Sequence, residues 1–297
     1  MFLGEFAALV TAVCWSLTAV FFSYSGRLIG SDVVNRSRLI FALFFLAITH
    51  LLVEGTIFPW GAEPFRWFWL AISAILGLVL GDTFLFRAYV LIGPRLSMLL
   101  MATAPIYSVI FGWLLFGETV SGMEMTGIFF AVAGVGWVVT ERRSGQTAVQ
   151  EKNYRSGILL GLAGALGQVA NLITARYGLV GDYSSLSAAI IRIFVAVLIL
   201  WFITALRGQI RHTFQLWRNR KAFRAMLGGS FTGPFLGIWF SLIAIQYARL
   251  GIAATLMALP PIILIPIEYI VYKRKVSTRG ILGTLVAITG VALILLS

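Results

Sequence analysis

What this chain has least of is charge, and with it the residue types that build reactive centres. Only 11% of its 297 residues are Asp, Glu, Lys or Arg. Its hydrophobic fraction is 60%, against about 45–50% for soluble domains. A soluble chain of this length needs a polar surface that such a composition cannot supply. One cysteine, Cys14, excludes an intramolecular disulfide and any zinc site built from cysteine pairs. Two histidines are present, His50 and His212, and neither sits in a His-Glu-x-x-His pattern. Gly-x-Ser-x-Gly and the phosphate-binding Gly-x-x-x-x-Gly-Lys runs are also missing, which argues against an intramembrane hydrolase and an ATP-driven pump. Acids are scarce too: 11 against 23 Lys and Arg, a net charge of +12. The excess is not a nucleic-acid footprint, because the cations cluster in short loops between apolar runs, where membrane topology places them. No nucleic-acid partner, metal or cofactor is expected.

What the chain does have is long apolar runs, and a mean hydropathy of +0.94. A bilayer core takes about 20 mostly apolar residues per helix. Counting runs predicts about ten spans, at 3–24, 33–53, 67–89, 95–116, 123–140, 156–176, 184–206, 225–247, 251–272 and 279–296. The first run lacks a basic leader and is too long for a cleaved signal, so it reads as a span. The fold expected is an all-α integral membrane protein whose solvent is the lipid bilayer.

The runs repeat. Gly4, Arg38, Pro105, Gly127 and Gly134 find counterparts in Gly157, Arg192, Pro261, Gly283 and Gly290, at offsets of 153 to 156. The ladder Ser73, Gly77, Gly81 maps onto Gly229, Gly233, Gly237 at a constant 156. A small residue at every fourth position lets helix backbones approach closely in lipid. The expected organisation is a first repeat over 1–143, a linker over 144–155 and a second repeat over 156–297, each with five helices. Five is odd, so the second repeat enters the membrane inverted relative to the first. Inverted repeats are a common architecture of secondary transporters, with the substrate near the midplane between them.

Ala102-Thr103-Ala104-Pro105, Gly117-Glu118, Gly127 and Gly134, with Trp15 in the first helix and Arg38 early in the second, resemble the EamA domain of the drug/metabolite transporter superfamily. The resemblance covers both halves. The second half departs from it, with Gln168 at the place of Trp15 and Lys273-Arg274 at that of Gly117-Glu118. The resemblance implies ten helices, a central cavity and alternating access. It does not choose among amino acids, other metabolites, nucleotide-linked sugars and drugs. A secondary transporter of a small organic metabolite, with a carboxylate or phosphate favoured, is the leading expectation. An exporter of cationic drugs, a lipid flippase or a channel on the same scaffold is the alternative, and the chain is expected to act as a monomer or a homodimer.

Loop cations sort 16 to one side and 3 to the other. The cytoplasmic side of short loops carries the Lys/Arg excess. In a bacterial-type inner membrane this puts both termini outside, contrary to what the resemblance implies.

Charged side chains within a span are costly and default to functional candidates. Asp82 and Arg38 lie at matching depth, about 8 Å from the basic face by helix rise. They read either as a fixed ion pair or as a gating and proton-coupling pair. Arg87 and Arg36 lie near helix ends and can snorkel. Glu268 reads as a local partner for Lys273-Arg274-Lys275 or as a proton carrier. Trp15, Gln168 and Asn171 lie on the repeat-related first and sixth helices and either join helices or line a wet cavity. Tyr107 and Trp239 are candidate stacking groups. Pro105 and Pro261 fall within the fourth and ninth runs and predict a paired kink. Arg192 is the repeat partner of Arg38, but Ile238 stands where Asp82 would be, and the nearest acid in sequence is Asp182. Arg192 is therefore expected to lack a charge partner near the outer face and to meet an anion of the cargo or a helix-end carbonyl.

Overall fold

The computed structural model describes residues 3–116, 119–140, 148–181, 183–247, 256–273 and 277–296, and among them the regular structure is entirely helical. Lipid offers no partner to a free N–H or C=O, so each segment satisfies its own backbone as a helix. The elements are α1 (Leu3–Ile29), α2 (Ser31–Glu54), α3 (Pro64–Ile92), α4 (Pro94–Met101), α5 (Ala104–Phe116) and α6 (Gly122–Val139). After the linker come α7 (Ala148–Gly178), α8 (Ser185–Leu206), the short α9 (Ile210–Leu216), α10 over 220–247, α11 (Pro260–Tyr272) and α12 (Thr278–Leu295). Eight segments among the described residues are long and apolar enough to cross a membrane. Outside those eight, α11 is shorter, and α10 opens on Arg220, Lys221 and Arg224. The chain is a multi-pass membrane protein.

The interior is mostly apolar, as in a soluble domain, but here large apolar side chains also cover the outside and many polar ones are buried. Phe129, Phe202 and Leu52 are exposed, while Ser16, Ser23, Asn35 and Ser73 are buried. The outer surface faces hydrocarbon, and the polar groups pair inside. Two spans turn on a single glycine. Gly30 joins α1 to α2 at φ +88°, and Gly93 joins α3 to α4 at φ +87°. Both values lie where a Cβ would be strained.

α7 starts well before the apolar run at 156. Its polar first turns project from the span and are held by the Glu151–Arg155 pair at 2.5 Å, one turn apart. An apolar count registers only the part that lies in lipid.

The prolines open helices instead of kinking them. Residues 102–103 interrupt the helix, and Pro105 lies in the first turn of α5, while Pro261 lies in the first turn of α11. A helix's first turn has no intrahelical acceptor for its N–H, so proline costs least there. The predicted paired kink is thus one clear break between α4 and α5 and one proline-led start. Gly117-Glu118, Asp182 and the Glu268 side chain lie outside the described residues.

The small-residue ladders form close seams. Each lies on a π-helical turn, Ile75–Gly81 in α3 and Phe231–Gly237 in α10, again 156 residues apart. A Cβ built on Gly77 would stand 2.7 Å from Asn171 Cγ of α7, and one on Gly233 would stand 2.6 Å from Thr18 Cγ2 of α1. Asn171 and Thr18 are themselves repeat counterparts, so the two seams are one contact built twice. α6 and α12 make the tightest pair. Gly127 meets Gly290 and Gly134 meets Gly283, so the two helices run antiparallel. A Cβ on Gly134 would come within 2.3 Å of Ala287 N, and one on Gly290 within 2.2 Å of Ala131 N. The repeat operation carries Gly127–Gly290 onto Gly283–Gly134, so the patch is self-complementary in the way of a two-fold interface.

Candidate functional site

A chain of polar side chains crosses the α3–α7 seam and ties α2 to α8. It starts on α2, where Arg38 pairs with Asp82 of α3, both buried. Arg38 Nε donates to Asn35 Oδ1 at 3.1 Å, one turn back. Asn35 Nδ2 in turn reaches Thr83 Oγ1 at 3.0 Å and the carbonyl of Leu78 at 3.3 Å, within the π-turn. The Arg38 guanidinium also lies over the rings of Phe86 and Phe22, 4.7 and 5.8 Å from their centroids. Arg38 is therefore fixed by a carboxylate, an amide and two aromatic faces.

The second oxygen of Asp82 faces α7. Gln168 Nε2 donates to Asp82 Oδ1 at 3.3 Å, and Asn171 Nδ2 donates to Gln168 Oε1 at 3.0 Å. Ser73 Oγ donates to Asn171 Oδ1 at 2.6 Å. On the other side, Arg192 Nη2 of α8 donates to the same Asn171 oxygen at 2.5 Å. The Nε of Arg192 is buried with no hydrogen-bond partner.

Arg192 and Arg38 thus belong to one connected network. Among the described residues Arg192 makes no ion pair; its link to a carboxylate runs through Asn171 and Gln168 to Asp82, because α7 packs beside α3 and carries those amides. Two guanidinium groups and one carboxylate leave the network one positive charge in excess.

A cavity of about 500 Å³ lies against the network. Gln168, Val169 and Asn171 of α7 form one wall, and Ala104, Pro105 and Val109 of α5 form another. Thr119, Val120, Glu124, Ile294 and Leu295 lie where α6 begins and α12 ends. The break between α4 and α5 thus borders the space. Of the sequence candidates, Pro105, Gln168 and Asn171 line the cavity, Arg192 touches its wall through Asn171, and Asp82 touches it through Gln168. Trp15, Tyr107, Trp239 and Pro261 are not among the lining residues. Trp15 packs on the second ladder, with its Nε1 2.5 Å from where a Gly237 Cβ would stand. Trp239 is 43% exposed and stacks beside Phe235 at 5.9 Å.

Glu124 was not anticipated. It caps α6, where its carboxylate accepts from Ser121 N at 2.6 Å while Ser121 Oγ accepts from Glu124 N at 3.1 Å. The signal was in the run Ser121-Gly122-Met123-Glu124, a Ser and a Glu three residues apart before an apolar run.

Outside the network, Arg87 does not snorkel free but holds Asp32 at 2.9 Å. Arg36 is 6% exposed and donates to Thr204 and Gln209, so it too is built in.

Fold and site together define a two-repeat, multi-pass membrane protein with a largely apolar cavity, edged by Gln168 and Asn171, at the seam between its halves. The family described as EamA-like transporter family matches residues 2–140 and again 155–296, and the chain belongs to it. It is a membrane transporter of the drug/metabolite type. A solved crystal structure is similar over 98% of this chain and 95% of its own, with a TM-score of 0.67 at 16% identity, a likeness of fold. None of the curated proteins compared matches the sequence.

Proposed function

We propose that the chain is a secondary transporter that moves a small organic metabolite carrying a carboxylate or phosphate, by alternating access of a central cavity. The observation that supports this most is Arg192. Its guanidinium is held by Asn171 on the cavity wall, its Nε has no partner, and the network around it is one anion short of neutral. A planar guanidinium can bind two oxygens of a carboxylate or phosphate at once. Gln168 and Asn171 supply amides beside it, and the apolar wall of Ala104, Pro105 and Val109 takes the rest of the molecule.

Ten spans in two inverted sets of five form the frame. The antiparallel α6–α12 contact and the twice-built ladder seam support that reading. The cavity reaches the helix ends that share a face with the chain's termini. On the opposite side, the buried Arg38–Asp82 pair and the packed cluster of Phe22, Phe86, Tyr89 and Leu264 fill the space between α1, α2 and α3. Exchange of the open side needs the α4–α5 break and the two π-turns to absorb backbone change, and interrupted helices do this at low cost. With the loop charges read as cytoplasmic, the open side is the outer one.

The test compares substrates on purified protein in liposomes. Arg192→Gln is expected to weaken half-saturation for an anionic solute by at least tenfold and to spare a neutral analogue of the same shape. Equal loss for both would make Arg192 architectural and remove the main support for an anionic cargo.

A further inference from the structure

A second cleft lies on the basic face, away from the cavity. It has a volume of about 270 Å³ and is lined by Gly30, Ser31, Asp32, Val33, Arg36, Arg87, Gln209 and His212. Three features converge there. First, it sits on the N-terminus of α2, a span of 24 residues whose N-cap Gly30 provides no side-chain cap. The first N–H groups of such a helix and its dipole favour an anion. Second, Arg36 is 6% exposed and only partly satisfied. Its two hydrogen bonds both leave from Nη1, to Thr204 Oγ1 at 3.2 Å and Gln209 Oε1 at 3.3 Å, and its Nε is buried without a partner. A guanidinium held rigidly at a cleft with unused donors is an incomplete oxyanion site. Third, the charge is unbalanced by one. Asp32 is the acid of the cleft, and Arg87 already engages both its oxygens, at 3.1 and 2.9 Å. Asp32 also acts on Arg36, and Arg207 opposes it, so the two guanidinium groups of the cleft share one carboxylate and one positive charge stays uncompensated.

The depth is that of a headgroup. Trp201 Nε1 donates to the carbonyl of Arg36 at 3.1 Å, and Trp217 Nε1 donates to Ser37 Oγ at 2.9 Å. Two indoles thus mark the level of Arg36, as tryptophans do at a membrane–water boundary. Beside the cleft, α9 exposes Ile210 and Phe214 next to Arg211 and His212, an apolar edge with cations on it. Phe214 packs on Trp217 and Trp201 at 4.9 and 5.5 Å, which holds α9 against the spans.

We propose that this cleft binds a phosphate group, presented by an anionic phospholipid of the leaflet on the basic face. One phosphodiester charge meets the one uncompensated guanidinium, α2 N–H groups and His212 supply further donors, and the acyl chains pass along the apolar side of α9. A phospholipid held there would pin α2 to the loop between α8 and α10, elements from opposite repeats, so the site bears on how freely the halves move.

The test uses purified protein in a neutral detergent, titrated with phosphatidylglycerol, phosphatidylcholine or inorganic phosphate. Binding is read by native mass spectrometry and by the fluorescence of Trp201 and Trp217, with brominated lipids as quenchers. Wild type is expected to retain phosphatidylglycerol over phosphatidylcholine, and Arg36→Gln to lose that preference by roughly tenfold, the scale of a hydrogen bond to a charged group. Arg87→Gln with His212→Ala, both at exposed positions, repeats the test should Arg36→Gln fail to fold. Arg218→Gln, on the same face outside the cleft, is expected to change nothing. Retention of inorganic phosphate without phospholipid, lost in the same variants, would keep the phosphate site and reject the membrane as its source. Equal binding of both phospholipids, or equal loss in Arg218→Gln, would overturn the proposal. Substrate transport enters none of these readouts, so the cleft stands or falls apart from the cargo assignment.

Discussion

The Arg38–Asp82 pair can be taken apart one side at a time. Removing one partner of a buried ion pair leaves the other charge uncompensated and costs about 3–5 kcal/mol. Here both survivors keep something. After Asp82→Asn, Arg38 retains Asn35 at 3.1 Å and the Phe86 ring at 4.7 Å. A desolvated cation–π contact contributes about 2 kcal/mol, which places the expected loss at the low end, about 3 kcal/mol. After Arg38→Gln, Asp82 retains the Gln168 amide at 3.3 Å and the field of Arg192, so a similar loss is expected. If the changes were independent, the double variant would lose about 6 kcal/mol. As an ion pair it should lose about 3, because no member is left to be unpaired, a coupling of about 3 kcal/mol. Unfolding of the purified protein by SDS titration in mixed micelles, followed by tryptophan fluorescence, measures all four corners of the cycle. Additivity within about 0.5 kcal/mol would refute the pairing argument. The same variants separate the two roles. A coupling carboxylate predicts that Asp82→Asn abolishes proton-driven accumulation and spares exchange, and full proton-driven uptake by the double variant would rule that role out.

The α6–α12 pair offers a sharper contrast. Gly134→Leu or Gly290→Leu should prevent stable assembly, since a Cβ already meets backbone within 2.3 Å, while Gly136→Leu, with nothing within 4 Å, should express and melt as wild type; size-exclusion chromatography reads both. In the ladder, Gly77→Leu collides with Asn171 and should disturb the cavity wall as well as the fold, whereas Gly233→Leu collides with Thr18 and should lower stability without touching the cavity. A reporter active only in the cytoplasm, fused after Ser297, should stay silent if the basic loops are inside; activity would reverse the orientation.

The helices, the repeat and the ladders were legible because lipid makes hydropathy and glycine spacing nearly sufficient. The Arg38–Asp82 pair was legible too, from matching depth in neighbouring spans of one repeat. What was not legible was anything that crosses between repeats. Depth counted along a helix says how far a residue is from a face, not which helix it meets, so the path from Arg192 through Asn171 and Gln168 to Asp82 was not foreseen. The π-turns left no trace in composition beyond the ladders on them. Tyr107 and Trp239 were chosen for their chemistry alone; neither lines the cavity, and Trp239 lies beside Phe235. The prolines were placed by position in an apolar run, which does not register that the helix restarts beneath them.

The two seams show how duplication and function divide the work. Both use a matching small-residue ladder, a matching π-turn and repeat-equivalent partner helices, α1 and α7, so close packing is a property of the repeat. Their chemistry differs. At the α1–α10 seam, Thr18 and Thr232 bond each other at 2.8 Å, and Phe22 and Trp15 cover the remaining ladder positions. At the α3–α7 seam, the matching places hold Asn171, Gln168 and Ala175, and Asp82 stands where the other half has Ile238. A charge at both seams would require two sets of compensating partners in lipid, each costly if left incomplete. Confining the carboxylate to one seam lets the guanidinium groups of both repeats connect to it, Arg38 directly and Arg192 through the amides of Asn171 and Gln168. A two-fold scaffold thus acquires a single, unsymmetrical polar network, two of whose members, Gln168 and Asn171, line the cavity.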